Sequence, residues 1–132
     1  MKTSELTGAA LDWAVAKCEY DNRRYNYGSP CFSPETKRVY ETQGLQEIGV
    51  SFSPSTDWKQ GGPIIEREMI QLTPHCMVNP LYGWAAAYRS FDEDDDVYAL
   101  FRKRGKTPLI AAMRCYVASK LGAEIEIPKE LL

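Results

Sequence analysis

Apolar residues recur at helical spacing in two stretches, one near each end of the chain. In the first, Leu11, Ala14, Val15 and Cys18 fall on one stripe, the repeat of an amphipathic helix. Thr7 sits where an N-cap belongs and Leu6 where a hydrophobic staple belongs, which predicts a helix running to about Glu19. Trp13 falls nearly opposite Leu11, so its indole is either covered by the segment that follows or left available to a ligand. The second stretch carries the clearest boundary signals. Thr107 is the cap, Pro108 the first helical residue, and Gly122 the stop after Leu121. Leu109, Ile110, Met113, Tyr116, Val117 and Leu121 form a broad apolar face, while Ala111, Ala112, Cys115, Ala118 and Ser119 form a small-residue face. Such a helix is packed on both sides, which makes it the central helix of the domain or half of a dimer interface.

Between the two helices the period changes to two. Ile48, Val50 and Phe52 alternate with Glu47, Gly49 and Ser51, the pattern of a half-buried strand. Tyr82, Trp84, Ala86 and Tyr88 alternate on a second strand, and Val97, Ala99 and Phe101 on a third. The run Asp92-Glu93-Asp94-Asp95-Asp96 between those two predicts a hairpin with an acidic tip over residues 90–97. Ile125 and Ile127 before Pro128 predict a short last strand. Residues 64–72 read both ways, as one helical turn over 64–68 and a strand from Met69 to Leu72. Residues 20–46 have weak periodicity, four tyrosines (20, 25, 27 and 40) and prolines at 30 and 34, and read as a loop-rich insertion or irregular hairpin. With no repeats and no dividing linker, residues 1–132 read as a single α+β domain. Its expected architecture is a small antiparallel sheet packed with an N-terminal and a C-terminal helix.

A chain of 132 residues with 44% apolar content has enough core to fold without disulfides or metal. Sixteen basic and eighteen acidic residues give a net charge of −2, so the whole-chain balance carries no footprint for nucleic acid or membrane. No apolar signal core opens the sequence and no run approaches the length of a membrane span. Cys18, Cys31, Cys76 and Cys115 lie far apart with no C-x-x-C pair, and read as reduced core thiols. A zinc site from Cys18, Cys31, His75 and Cys76 is disfavoured by the adjacency of His75 and Cys76, so no metal and no cofactor is expected.

The densest group of special residues is the stretch from Ser53 to Pro63. Ser55, Thr56 and Asp57 can cap a short helical turn whose amides would hold an anionic group. Trp58 offers a flat face, Gln60 an amide, and Gly61-Gly62 a place for close ligand approach. The bland alternative is a capped turn with a buried Trp58 between two strands. Gly61-Gly62 lacks the spacing of a phosphate-loop or dinucleotide fingerprint. The single histidine, His75, has no partner at metal spacing, and a Cys76–His75 nucleophile pair would join neighbours that rarely face each other. Glu66 and Glu68 read as a solvated face. The acidic run lacks the glycine, the ligand spacing and the distal Glu of an EF-hand loop, and Arg102-Lys103-Arg104 reads as its counter-charge.

Three long strings carry a resemblance to a known family: Lys2 to Ala16 (KTSELTGAALDWAVA), Ser53 to Glu68 (SPSTDWKQGGPIIERE) and Thr107 to Gly122 (TPLIAAMRCYVASKLG). On these the chain resembles the NinX family of small tailed-phage proteins, whose function is unassigned. The resemblance implies a phage context, with the protein in the host bacterial cytoplasm, and no mechanism. The shared strings include Trp13, Asp57, Trp58, Gln60, Arg67 and Arg114, polar and aromatic residues that packing alone does not demand. Together with Ser55, Thr56, Gly61 and Gly62 they are the expected ligand-binding residues of one cleft, unless Arg114 simply pairs with Glu66 or Asp57 to hold the fold. The leading expectation is non-catalytic binding of a small polar or nucleotide-like ligand, for example sequestration of a host immune signalling nucleotide. The alternative is an inhibitor or adaptor that contacts a host protein through the Tyr-rich residues 20–44. No nucleic-acid or membrane partner is expected, and a homo-oligomer through the small-residue face is possible.

Overall fold

The computed structural model describes residues 1–22, 31–33, 35–36, 38–43, 46–74, 83–91 and 97–132. Helix α1 (Gly8–Asn22) leads to strands β1 (Cys31–Ser33), β2 (Arg38–Gln43) and β3 (Gln46–Ser51); helix α2 (Trp58–Glu68) follows. Strands β4 (Gln71–Pro74), β5 (Trp84–Phe91) and β6 (Val97–Gly105) come next, and helix α3 (Pro108–Leu121) closes the order, with single 3-10 turns at Thr3–Glu5 and Lys129–Leu131. The α+β class is as expected, and the antiparallel sheet is divided into two, β1-β2-β3 and β4-β5-β6. Within residues 20–46 the described residues contribute the end of α1, strands β1 and β2 and the first residue of β3. Strands β5 and β6 form the expected hairpin, whose acidic residues 92–96 lie outside the described residues. So do His75, Cys76 and Tyr82.

Helix α3 is the centre. Thr107 Oγ1 accepts from Ile110 N at 3.1 Å, and Gly122 ends the helix at φ +90°. Leu109, Ala111, Ala112, Met113, Cys115, Tyr116, Val117 and Ala118 are all buried, so both faces have partners. The small face meets the second sheet. Cys115 donates Sγ–H to Phe101 O at 3.3 Å, and a Cβ on Gly105 would sit 2.6 Å from Ala111 N. That close approach is what small residues permit. Burial pushes the Cys115 thiol up to about 11, which keeps it protonated and inert. The large face meets the other helices, through Tyr116 against Glu19 of α1 and Arg67 of α2.

Two sequence expectations are corrected. The segment 53–68 is not a turn followed by one helical turn. Asp57 caps an eleven-residue helix that continues through Gly61, Gly62 and Pro63 to Glu68. Asp57 Oδ1 accepts from Lys59 N at 2.9 Å, and Met69, at φ 54°, closes the helix in the left-handed conformation. Burial of Gly61 and Ile64 outweighs the low helix propensity of Gly-Gly-Pro. Nor is there a last strand at Ile125–Ile127. Met1 N donates to Ile125 O and Ile125 N to Met1 O, each at 2.9 Å, with one bridge between Lys2 and Glu124. Two chain ends are tied by backbone pairing too short for a strand.

The two glycines of α2 have opposite roles. A Cβ on Gly61 would stand 2.4 Å from Pro54 O and 2.6 Å from Leu109 Cδ2, whereas one on Gly62 would meet only Trp58 Cε3 at 3.9 Å. Neither takes a positive φ. Gly62→Ala is therefore expected to stabilise by about 1 kcal/mol through helix propensity. Gly61→Ala is expected to cost about 1–3 kcal/mol through overpacking. Urea titration of both variants measures this, and equal shifts of the same sign would contradict it.

Candidate functional site

Trp13 is buried, with Lys17 Nζ 5.5 Å from its ring centroid and β2 packed on the same helix. Coverage, rather than an open ligand face, is its observed state. Next to it lies a buried polar group. Ser55 N donates to Asp12 Oδ1 at 2.9 Å, tying the residues before α2 to α1. Burial is the dominant influence on Asp12 and pushes its carboxyl up to about 6, against the pull of the Ser55 amide and hydroxyl. The Ser55 hydroxyl acts by proximity only, for Ser55 Oγ and Trp13 Nε1 have no hydrogen-bond partner among the described residues.

A carboxyl raised above its unfolded value of 3.8 stabilises the fold below that value, and this contribution is lost as pH rises to about 6. The cost above pH 6 is about 3 kcal/mol at 1.36 kcal/mol per pH unit. Asp12→Asn keeps the acceptor for Ser55 N and places an amide near Ser55 Oγ. It is expected to be more stable than the parent at pH 7.5, by up to about 3 kcal/mol. The difference should shrink as pH falls from about 6 to 4. Denaturation at three pH values tests this, and a variant less stable at pH 7.5 would overturn it.

The remaining expected residues serve two other places. Asp57 is the α2 cap, Thr56 and Trp58 are exposed (Trp58 by 54%), and Gln60 bridges Ser53 N and Ser51 O. Trp58 is thus not the buried indole of the bland alternative. Gly61 is filled by Pro54 and Leu109 rather than by a ligand. Arg67 forms a fork to both Glu19 oxygens, reaches Tyr116 Oη at 3.2 Å, and bonds Glu68. Tyr116 Oη donates to Glu19 Oε1 at 2.7 Å. The Glu19 hydrogen bonds hold Arg67 above the ordinary guanidinium pKa; burial, then the same carboxylate, holds the Tyr116 phenol protonated. Three helices are joined at this one cluster. Arg114 pairs with neither Glu66 nor Asp57. Its Nε donates to Leu6 O and its Nη1 to Arg104 O, both at 2.8 Å, and burial lowers its pKa.

Of the ten expected residues, Arg114 alone lines a groove formed among the described residues. This groove has a volume of about 1170 Å³ and lies against the second sheet. Register places Gln71, Ala87 and Arg102 in one row and Thr73, Ala85 and Arg104 in the next. The alternate row, Leu72, Ala86 and Lys103, includes Ala86, which is buried toward α3. The first two rows therefore face away from α3. Ala85 and Ala87 give a low floor, with Gln71 and Thr73 on one side and the β6 arginines on the other. Beyond the strand end the lining continues through Lys106, Ile110, Ser4 and Thr7 to Arg114.

Five cationic side chains line this groove (Arg89, Arg102, Arg104, Lys106 and Arg114), with Lys103 contributing from the row that faces α3, and among the described residues no carboxylate does. Residues 102–104, which the sequence presents as counter-charge to the acidic run, are joined here by Arg89 and Lys106, which are not among the expected site residues. The available signal is the alternation of Arg102, Arg104 and Lys106 along and just past the third predicted strand. Among the described residues no group of three or more His, Cys, Asp or Glu could hold a metal, and no helix is long and apolar enough to cross a membrane.

Among curated proteins no match to the chain is found. The family model described as Bacteriophage P22, NinX matches residues 2–120. That span takes in both sheets, α1, α2 and α3 up to Lys120, and the chain belongs to the phage P22 NinX family.

Proposed function

We propose that this phage protein binds a phosphate-bearing, nucleotide-like ligand in the groove on the second sheet, and does so without turning it over. The observation that carries the reading is the five-to-none excess of outward cationic side chains over carboxylates among the described residues of that lining. Low-dielectric walls lined by one sign of charge focus the field and raise the local concentration of anions. The chain's net charge of −2 makes this concentration of positive charge a product of the fold. Arginines suit the task because a planar fork meets phosphate oxygens two at a time. Arg114 is held in place by two backbone carbonyls, so one cation is already oriented before a ligand arrives. Among the described residues the lining offers hydroxyls from Ser4, Thr7 and Thr73 and neither a carboxylate nor an imidazole to act as a base. Binding rather than turnover is what such a set supports. In the host cytoplasm the role would be sequestration of a nucleotide, a host immune signal being one form.

A panel of mono- and dinucleotides, cyclic nucleotides and ADP-ribose-type compounds, followed by thermal shift and calorimetry at low salt, tests the reading. Saturation at a hundred times the dissociation constant is expected to stabilise by about 2.7 kcal/mol. Arg102→Gln should weaken binding about tenfold, by loss of a charge-assisted contact, and Trp58→Ala, outside the lining, should leave it unchanged. No response to any phosphate compound, or loss with Trp58→Ala alone, would overturn the proposal.

A further inference from the structure

The groove carries its positive charge in a regular order. Arg89 stands opposite Leu100, Arg102 opposite Ala87, and Arg104 opposite Ala85, so three successive rows of the outward face each hold one cation. Lys106 continues the series just past the end of β6, and all four side chains are exposed. Rows on one face of an antiparallel sheet repeat every two residues, about 6.8 Å. The series therefore extends about 20 Å from Arg89 to Lys106. A compact mononucleotide, whose phosphates are joined directly, cannot reach four such rows. Successive phosphates of a nucleic-acid strand are separated by a sugar and repeat at about the row spacing. The floor fits the same occupant: Ala85 and Ala87 leave room beside the β6 cations, while Gln71 and Thr73 on β4 offer an amide and a hydroxyl across it.

Resting on the assignment of this groove to phosphate-bearing ligands, we infer that its occupant is a single-stranded nucleic-acid segment of about four nucleotides, one phosphate to each row. The phosphates follow Arg89, Arg102, Arg104 and Lys106, and the sugars and bases lie over Ala85 and Ala87 toward β4. Readout is then mostly electrostatic, with strong salt dependence and little sequence preference.

Fluorescence anisotropy with labelled oligothymidylates of about two, four and eight nucleotides, with a nucleoside triphosphate as competitor, tests this on the full chain. Affinity should rise steeply up to about four nucleotides and level off, with log affinity falling against log salt at a slope near −3, about 0.7 per phosphate contact. Arg89→Gln and Arg102→Gln, both at exposed positions, should each reduce that slope by about 0.7 while circular dichroism stays unchanged. A nucleoside triphosphate that binds as tightly as the tetranucleotide would overturn the strand inference and leave the groove assignment standing. Binding of neither would overturn both.

Discussion

Replacing Tyr116 by alanine is expected to remove about 3–5 kcal/mol of stability, the largest effect of any single change considered for this chain. Tyr116 is fully buried in the middle of α3, and its ring fills the junction of three helices. Truncation leaves a cavity that the surrounding helices cannot close, because α3 is held on its other face by the sheet. It also removes the hydroxyl that bonds Glu19 and receives Arg67. Phenylalanine retains the ring and loses only these bonds, at a cost of about 1–2 kcal/mol. The ordering alanine, phenylalanine, parent is the informative outcome. Urea unfolding followed by circular dichroism measures it, and an alanine variant within 1 kcal/mol of the parent would show that α3 is not the centre of the core.

The second large effect concerns binding. Arg89→Gln combined with Arg102→Gln is expected to reduce affinity for phosphate-bearing ligands about a hundredfold, roughly tenfold for each lost charge-assisted contact. Both side chains are exposed on the outer face of the sheet, so stability should stay within about 0.5 kcal/mol of the parent. Lys129→Gln, exposed and outside the groove, is the matched control and should change neither. An equal loss of affinity in the control would assign the binding to net charge instead of to the groove.

The limits of α3 were legible in the sequence because cap chemistry is local. Thr107, Pro108 and Gly122 act on backbone groups within one turn of themselves, and no distant contact was needed to interpret them. The α2 helix was hidden for the opposite reason. Gly61, Gly62 and Pro63 are locally poor helix formers, and only the packing of Pro54 and Leu109 against Gly61 explains why a helix runs through them. Arg67 and Arg114 stand out in the sequence as residues that packing alone does not demand. Their partners, a carboxylate on α1 and two backbone carbonyls, depend on how the helices meet. The groove was least legible of all. Its cations come from β5, β6 and α3, and the β5–β6 register brings Arg89 into series with Arg102 and Arg104. A whole-chain charge near zero conceals such a concentration, because net charge carries no information about which face each residue takes.

The central claim is that this groove, and not the α2 N-terminus, receives the phosphate-bearing ligand. Amide chemical-shift mapping of isotope-labelled protein, titrated with a nucleoside triphosphate and with a short oligothymidylate, tests it residue by residue. The account predicts that the shifts concentrate at Thr73, Ala85, Ala87, Arg102, Arg104 and Lys106. Shifts clustered instead at Ser55, Asp57, Trp58 and Gly62, with the β6 amides unmoved, would contradict it.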